Sequence, residues 1–316
     1  MSMLALTWSV VRNEAPKVLR FVVVGLARPL PAERRRALER RLRGREQVRK
    51  LAEADVVVVS YGKAGRTWLR VMLSRFYQLL YGLPERLLGF DNFHARDQRV
   101  PKIFFTHDNY IQDWTGYRDK RAFRDKKVIL LVRNPQDTAV SQYFQWKFRM
   151  RKSKKELNDY PEHGAEISIY DFVMRPASGL AKIVDWMNGW AAEVDQIPSL
   201  LIVRYEDLRA DTVGQLRRVV EFCGAPADEA ALRGAVEYAS VENMRKLEAQ
   251  GKFWLAGGRM TPRDRDDPNT YKVRRAKVGG YRDYFDDEQV ARIDALVSEK
   301  LSPVFGYGAG PEGASA

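Results

Sequence analysis

The sequence predicts a three-layer α/β fold in which a mostly parallel central sheet is flanked by helices. From Asp55 onward, short runs of β-branched residues alternate with longer segments of helical periodicity. These short runs are apolar throughout, which is typical of strands buried on both faces of a parallel sheet. The chain has 316 residues, 45% of them hydrophobic, which is enough for one large domain with a sizeable core.

The N-terminal extension, residues 1–50, holds most of the net charge. It contains 13 Lys and Arg against 4 Asp and Glu, and so carries +9 of the total +13. An apolar stretch at 18–27 precedes a basic run at 34–50. The apolar stretch is too short to span a bilayer. In a secretory signal the charged residues would come before the apolar ones, which is not the order here. One interpretation is a basic amphipathic extension that binds an anionic membrane surface peripherally. The other is a helix packed on the domain, followed by a solvated charged helix.

The strands of the domain are predicted at 56–60, 102–106, 127–132 and 200–203. The segment 67–81 has apolar residues at helical spacing and predicts the helix that follows the first strand. No internal repeat or polar linker divides residues 51–310, which we treat as one domain. Residues 311–316 are predicted to form a flexible tail.

A glycine-bearing segment, Ser60-Tyr-Gly-Lys-Ala-Gly-Arg-Thr-Trp68, joins the first predicted strand to the first predicted helix. Backbone N–H groups at such a helix N-terminus bind phosphate, and Lys63 adds a positive charge, so a P-loop-like fold is predicted. The nucleoside-triphosphate motif Gly-x-x-x-x-Gly-Lys-Ser/Thr is absent, as is an obvious carboxylate partner for magnesium. Both absences disfavour the alternative of a P-loop small-molecule kinase.

A second candidate site begins where the third predicted strand ends. Asn134 can cap the following helix, Pro135 suits its first position, and Asp137 is expected to complete a reciprocal cap. Arg133 then lies at the sheet edge, and Ser141 about two turns along the helix. An arginine that ends an apolar strand is costly to desolvate unless an anion pairs with it, so these two residues are predicted to bind an anion.

Other classes of function are disfavoured by composition. Cys223 is the single cysteine, and no paired Cys/His spacing is present, which predicts a reducing, cytoplasmic compartment and no metal. The chain after residue 50 is only mildly basic and has no zinc-finger, basic-zipper or RNA-binding signature, so no nucleic-acid partner is predicted. A binding module on a degenerate enzyme fold is a further alternative, and it would bind the donor without turnover. The sequence does not predict the oligomeric state.

Five segments together resemble the cytosolic-type sulfotransferases, which use 3′-phosphoadenosine 5′-phosphosulfate (PAPS). The glycine-bearing loop is similar to that family's 5′-phosphosulfate loop, and Arg133-Asn-Pro-Gln-Asp to its 3′-phosphate segment. Phe105-Thr-His107, Arg204-Tyr-Glu-Asp-Leu208 and Arg274-Arg-Ala-Lys-Val-Gly-Gly-Tyr-Arg282 follow in the family's order. The resemblance covers residues 55–305 and implies in-line transfer of a sulfuryl group from PAPS to a hydroxyl or amine.

The same resemblance implies a role for each matching residue. The 5′-phosphosulfate would be surrounded by Lys63, Ala64, Gly65, Arg66, Thr67 and Trp68, with the Trp68 indole stacked on adenine. The 3′-phosphate would be held by Arg133, Ser141, Arg274, Arg275 and the backbone of Ala276, with Tyr205 near the adenine. His107 would accept the acceptor's proton, and Lys63 would stabilise the charge on the leaving phosphate.

This sequence departs from the family at several positions. Phe105 replaces a lysine, so one cation near the sulfuryl group is missing, and Arg66 is a candidate to supply it. Lys102 lies five residues before His107, and strand alternation predicts that the two side chains point to opposite faces. Ala276 replaces a glycine, which the backbone tolerates unless a positive φ is needed.

The acceptor is not identified by the sequence, because relatives with this pattern use small molecules, lipids and glycans. A lipid or glycolipid would fit a membrane-associated extension. Some aromatic residues are candidates for lining an apolar acceptor cleft, although most of them suit the core: Phe144, Trp146, Phe148, Tyr170, Phe172, Trp186, Trp190, Phe253 and Trp254.

Overall fold

The computed structural model describes residues 3–251, 262–264 and 266–307, with side chains described from residue 12 onward. Four parallel strands form the central sheet in the order β2-β1-β3-β4. They are β1 (Val56–Ser60), β2 (Ile103–Thr106), β3 (Lys127–Val132) and β4 (Leu200–Arg204). The predicted parallel sheet is therefore confirmed, and the predicted strand bounds differ by one residue in β2 and in β4.

The helices in the described part of the chain follow in order. They are α1 (Met3–Leu26), α2 (Ala32–Glu53), α3 (Arg66–Tyr81), α4 (Ile111–Thr115), α5 (Pro135–Phe144), α6 (Lys152–Leu157), α7 (Ile169–Met174), α8 (Leu180–Ala191), α9 (Tyr205–Ala210), α10 (Thr212–Phe222), α11 (Glu229–Tyr238), α12 (Val241–Ala249) and α13 (Asp287–Lys300). A π-helical turn, Gln145–Arg149, continues α5. The predicted tail at 311–316 lies outside the described residues, as do Phe253 and Trp254.

Helices cover both faces of the sheet, so the predicted three-layer architecture is confirmed. Val56 and Val58 pack into a core formed with α3, α10 and α11. Val57 and Val59 pack into the opposite core, formed with α5, α8 and α13. All five residues of β1 are therefore buried, which explains why these strands are apolar throughout.

The basic helix α2 packs on the domain. Gly44 lies so close to α4 that a Cβ there would come within 2.2 Å of the Tyr110 carbonyl oxygen. Arg40 pairs with Asp113 at 3.1 Å. By contrast, the apolar helix α1 exposes several large side chains: Val18, Leu19, Phe21, Val22 and Leu26. The charged helix is therefore packed and not solvated, and α1 also packs on α2, since Arg20 pairs with Glu46 at 2.7 Å.

Within the described ranges, none of the helices combines the length and the apolar character needed to cross a bilayer.

Candidate active site

One large cavity, of about 1280 Å³, opens where the four strands reach their carboxyl ends. It exceeds the roughly 300–1,000 Å³ of common ligand pockets and so has room for two ligands. Of the predicted site residues, only Ala64 does not line it, and that residue is buried. The twelve that line it are Lys63, Gly65, Arg66, Thr67, Trp68, His107, Arg133, Ser141, Tyr205, Arg274, Arg275 and Ala276.

The loop between β1 and α3 has a backbone that requires glycine at position 65. Gly65 has φ 96° and precedes the first residue of α3. A Cβ at this position would lie only 2.7 Å from the ring of Tyr205. Both the positive φ and the close contact exclude a side chain, so the loop can bring its backbone amides to the cavity.

Lys63 lies at the tip of this loop with φ 75°. Burial, together with the positive charges of Arg149, Arg133 and Arg274, lowers the pKa of Lys63 to about 7. Glu248 opposes this shift but does not cancel it. Near pH 7 the Lys63 amine is therefore only partly protonated, and a bound anion would favour its protonated form.

Arg133 joins three segments of the site. Its guanidinium donates to the backbone oxygens of Lys63 and Lys277 at 3.4 and 3.3 Å and lies 3.5 Å from Asp137. It also lies 4.4 Å from the ring centroid of Tyr205. Its Nε is buried and has no hydrogen-bond partner in the described structure. A buried donor of this kind suits a bound anion.

The reciprocal helix cap predicted for Asp137 is wrong. Asn134 does accept a hydrogen bond from the Asp137 amide, at 2.9 Å. The Asp137 carboxylate instead accepts from the backbone N–H groups of Gly279 and Tyr281, at 2.8 and 2.9 Å, while the backbone N–H of Asn134 donates to Glu206. The carboxylate turns toward the C-terminal segment because that segment brings two donors to one side chain.

The other end of this C-terminal segment is held by Glu248 of α12. Its carboxylate accepts from the backbone N–H groups of Lys272 and Val273, at 2.6 and 3.1 Å, and pairs with Arg149 at 3.0 Å. Sequence reasoning missed Glu248, because no motif marks a carboxylate that acts on backbone 24 residues away. Together with Asp137, it fixes the segment that carries the predicted 3′-phosphate residues.

The two arginines of this segment have different surroundings. Arg274 lies over the ring of Phe144, 3.8 Å from its centroid, and donates to the Tyr284 hydroxyl. Arg275 is exposed and pairs with Asp283 at 2.9 Å. Ala276 has φ 54°, so the position does need the left-handed conformation that the family's glycine adopts freely.

His107 is held in one tautomer. Its Nδ1 lies 2.7 Å from the backbone oxygen of Ser60, which can only accept, so Nδ1 carries the proton. Its Nε2 lies 2.7 Å from the Arg66 guanidinium, which can only donate, so Nε2 carries the lone pair. The lone pair that a base needs is therefore on Nε2, where it accepts a hydrogen bond from Arg66.

The structure also shows where the candidate replacements for the missing lysine lie. Arg66 contacts His107 inside the cavity, whereas Lys102 precedes β2 and donates its amide to Asp55 at the opposite end of the sheet. Phe105 packs under the guanidinium of Arg70, 5.0 Å from its ring centroid. The cation beside His107 is therefore Arg66.

Most of the described aromatic candidates suit the core, as expected, while other aromatic side chains line the cavity, among them Tyr61, Tyr110 and Tyr160. Among the aromatic candidates that the structure describes, only Trp186 lines the cavity. Trp146, Phe172 and Trp190 are fully buried in the core. Sequence spacing did not separate the two roles, because core and cleft aromatics share the same helical periodicity.

Fold and site together define an α/β enzyme that binds a polyanionic ligand at the carboxyl edge of a parallel sheet. The chain belongs to the sulfotransferase domain family, whose model matches residues 53–305. This match confirms the prediction that the protein is a sulfotransferase.

The similar proteins include plant enzymes and solved structures. The flavonol 4′-sulfotransferase of Flaveria chlorifolia is 26% identical, with 78% of this chain and 79% of the relative covered. Cytosolic sulfotransferase 17 of Arabidopsis thaliana is 28% identical, with 78% and 74% covered. The mouse sulfotransferase SULT7A1 was solved with PAP, 3′-phosphoadenosine 5′-phosphate. It has a TM-score of 0.55 at 21% identity, with 85% of this chain and 91% of the mouse chain covered. Retinol dehydratase, solved with androsterone and PAP, has a TM-score of 0.54 at 18% identity, with 78% and 80% covered, and both structures share the fold.

Proposed function

We propose that the protein transfers a sulfuryl group from PAPS to a hydroxyl or amine of a small-molecule, lipid or glycan acceptor in the cytoplasm. The observation that carries this proposal is the convergence of Lys63, Arg133 and Arg274 on one cavity, since a donor with anions at both ends needs several cations. The PAP found in the similar mouse enzyme supports the same donor. Named cytosolic relatives support the compartment.

In the proposed reaction, the acceptor oxygen attacks sulfur as the bond from sulfur to the bridging phosphate oxygen breaks. His107 Nε2 takes the acceptor's proton, and Lys63 stabilises the charge that forms on the leaving phosphate. Arg66 lies next to His107. It takes the place of the lysine that the family has near the sulfuryl group and that Phe105 replaces in this chain. The protein thus mainly positions two partners and stabilises charge.

The proposal is tested by incubating the protein with labelled PAPS and a cell extract, with a metal chelator present. We expect a product heavier by one sulfuryl group, because no step of the reaction needs a metal. Donor binding without any labelled product would favour a binding module. A phosphorylated product that appears only with magnesium and a nucleoside triphosphate would favour the kinase alternative.

Arg133→Ala is expected to weaken PAP binding by about tenfold to a hundredfold, the usual value of a charge-assisted hydrogen bond. The reason is that Arg133 lines the cavity and its buried Nε has no partner within the described structure. Isothermal titration calorimetry measures the affinity. The matched control is Arg292→Ala, which removes a surface arginine paired with Glu288. Equal PAP affinity of Arg133→Ala and wild type would remove the 3′-phosphate assignment.

We further propose that α1 associates peripherally with an anionic membrane surface. Phe21 and Leu26 are 79% and 77% exposed, and three exposed cations, Lys17, Arg28 and Arg34, lie near them in sequence. Apolar side chains beside basic ones suit an interfacial helix.

Phe21→Ser combined with Leu26→Ser is expected to reduce sedimentation with phosphatidylglycerol vesicles by at least about tenfold, since burial of each side chain contributes roughly 1.5–3 kcal/mol. Val304→Ser is the control, because Val304 is a half-exposed apolar residue in the C-terminal turn. Unchanged sedimentation of the double variant would exclude this anchor.

A further inference from the structure

The part of the cavity that the donor residues do not line is rich in positive charge. Arg40 and Arg43 come from α2, Lys154 from α6 and Lys182 from α8. We call these four residues the outer cation cluster. Three separate segments thus bring cations to the end of the cavity that remains for the acceptor.

Three of these cations surround one aromatic ring. The Nζ of Lys154 lies 5.3 Å from the ring centroid of Tyr110. The guanidinium carbons of Arg40 and Arg43 lie 5.4 and 5.9 Å from the same centroid. Such crowding of like charges is unfavourable unless negative charge is near.

The fourth cation joins the same group through Asn158. The Tyr110 hydroxyl donates to Asn158 Oδ1 at 2.8 Å, and the Nζ of Lys182 donates to the Asn158 backbone oxygen at 3.2 Å. The Nζ of Lys154 lies 3.4 Å from the Tyr110 hydroxyl. Asn158 and Tyr110 therefore place both lysines within one polar site.

Only the arginines of the outer cation cluster have carboxylate partners. Arg43 donates to Glu39 at 2.9 Å, and Arg40 pairs with Asp113 at 3.1 Å. Neither lysine forms an ion pair within 4.0 Å with a residue that the structure describes. Two close carboxylates thus face four cations, while Glu46 and Asp159 act on Lys154 and Lys182 only from beyond 4.0 Å.

The carboxylates that line this part of the cavity do not restore the balance. Asp108 pairs with Lys120 at 2.7 Å, and Asp185 is exposed to solvent. Burial, followed by the charge of Arg43, lowers the pKa of Lys154 to about 8, and burial also lowers the pKa of Lys182. A bound anion would favour the charged form of both lysines.

We propose that the acceptor carries an oxyanion, such as a phosphate, carboxylate or sulfate group, which Lys154 and Lys182 bind beside Arg40 and Arg43. This inference rests on the proposed function, because it assigns the acceptor end of the same cavity. It also gives α2 a role in acceptor recognition. The oxyanion belongs either to a soluble metabolite or to a lipid headgroup, which share this chemistry.

The first test measures oxyanion binding without knowledge of the acceptor. Protein saturated with PAP is titrated with inorganic pyrophosphate by calorimetry, in wild type and in the double variant Lys154→Met/Lys182→Met. We expect wild type to bind pyrophosphate and the double variant to bind it at least about tenfold more weakly, because charge-assisted contacts are lost. The control is Lys152→Met on the same helix, where the lysine is exposed.

Two outcomes of this titration would overturn the inference. One is the absence of pyrophosphate binding to PAP-saturated wild type. The other is equal affinity in wild type and the double variant. Unchanged PAP affinity of the double variant shows that the variant is folded and that the donor half of the cavity is intact.

The second test identifies the source of the oxyanion. A cell extract is divided into aqueous and organic phases, and each is incubated with the protein and labelled PAPS. Mass spectrometry is expected to show a sulfated acceptor with a further anionic group, and its phase distinguishes a metabolite from a lipid. The double variant should raise the KM of that acceptor at least about tenfold at unchanged PAP affinity. Transfer to an uncharged acceptor would overturn this inference alone, whereas failure to bind PAP would overturn the proposed function.

Discussion

Lys63→Met is expected to lower kcat for sulfuryl transfer by roughly a hundredfold to a thousandfold, the usual cost of losing a group that stabilises developing charge. The lysine lies at the tip of the β1–α3 loop, where the leaving phosphate would form. Steady-state kinetics with the acceptor found in the extract experiment measure this loss. The matched control is Lys277→Met, since Lys277 also lines the cavity but pairs with Asp283 at 2.8 Å.

The same variant has a readout that does not depend on turnover. Lys63 has a pKa of about 7 without donor, and bound anions raise it, so binding takes up a proton above pH 7. Below pH 7 the lysine is already charged, and its contribution to affinity no longer changes. Above pH 7, PAP affinity should fall as pH rises. Calorimetry at pH 8 in buffers of different ionisation enthalpy should detect this uptake in wild type and not in Lys63→Met.

A wild type that takes up no proton at pH 8 would contradict the assignment of Lys63 to the phosphosulfate site. Activity of Lys63→Met within a few-fold of wild type would contradict its role in stabilising the leaving phosphate. The two outcomes are separable, because the first concerns binding and the second concerns only the chemical step.

His107→Ala is expected to reduce kcat by at least about a hundredfold, the common size of a general-base contribution. The PAP affinity should stay close to wild type, because His107 contacts Ser60 and Arg66 and none of the residues assigned to the 3′-phosphate. Single-turnover kinetics with labelled PAPS separate the chemical step from binding and product release.

His94→Ala is the matched control for this variant. Its Nδ1 also lies 2.8 Å from a backbone oxygen, that of Val100, but the residue does not line the cavity. We expect activity close to wild type for His94→Ala. If His107→Ala kept near wild-type kcat with the same acceptor, another group would have to accept the proton.

Much of the fold was predictable because its pattern is local. The central strands β1 and β3 are buried on both faces, so their runs of apolar residues can be recognised without knowledge of their neighbours. The parallel arrangement then places the strand ends at one edge, and the polar residues after β1, β2 and β3 meet there. This is why Lys63, His107 and Arg133 could be assigned to one cavity.

Contacts between distant segments were not predictable in the same way. Asp137 was expected to cap its own helix, yet its carboxylate binds backbone 142 residues away at Gly279. A local capping pattern fits either partner, and only the position of the C-terminal segment decides between them. The same holds for the basic extension. Its charge could be counted in the sequence, but the close packing of Gly44 against Tyr110 and Trp114 could not be predicted from it.

The parallel α/β fold, the glycine-bearing loop and twelve residues of the cavity lining could be predicted from the sequence alone, because they follow from burial and from short, contiguous motifs. The folded chain was needed to show that Arg66 lies beside His107 and that α2, α6 and α8 bring four cations to the same cavity. The physical reason is that charges act across space: their effect depends on distances between segments that no local pattern of residues specifies.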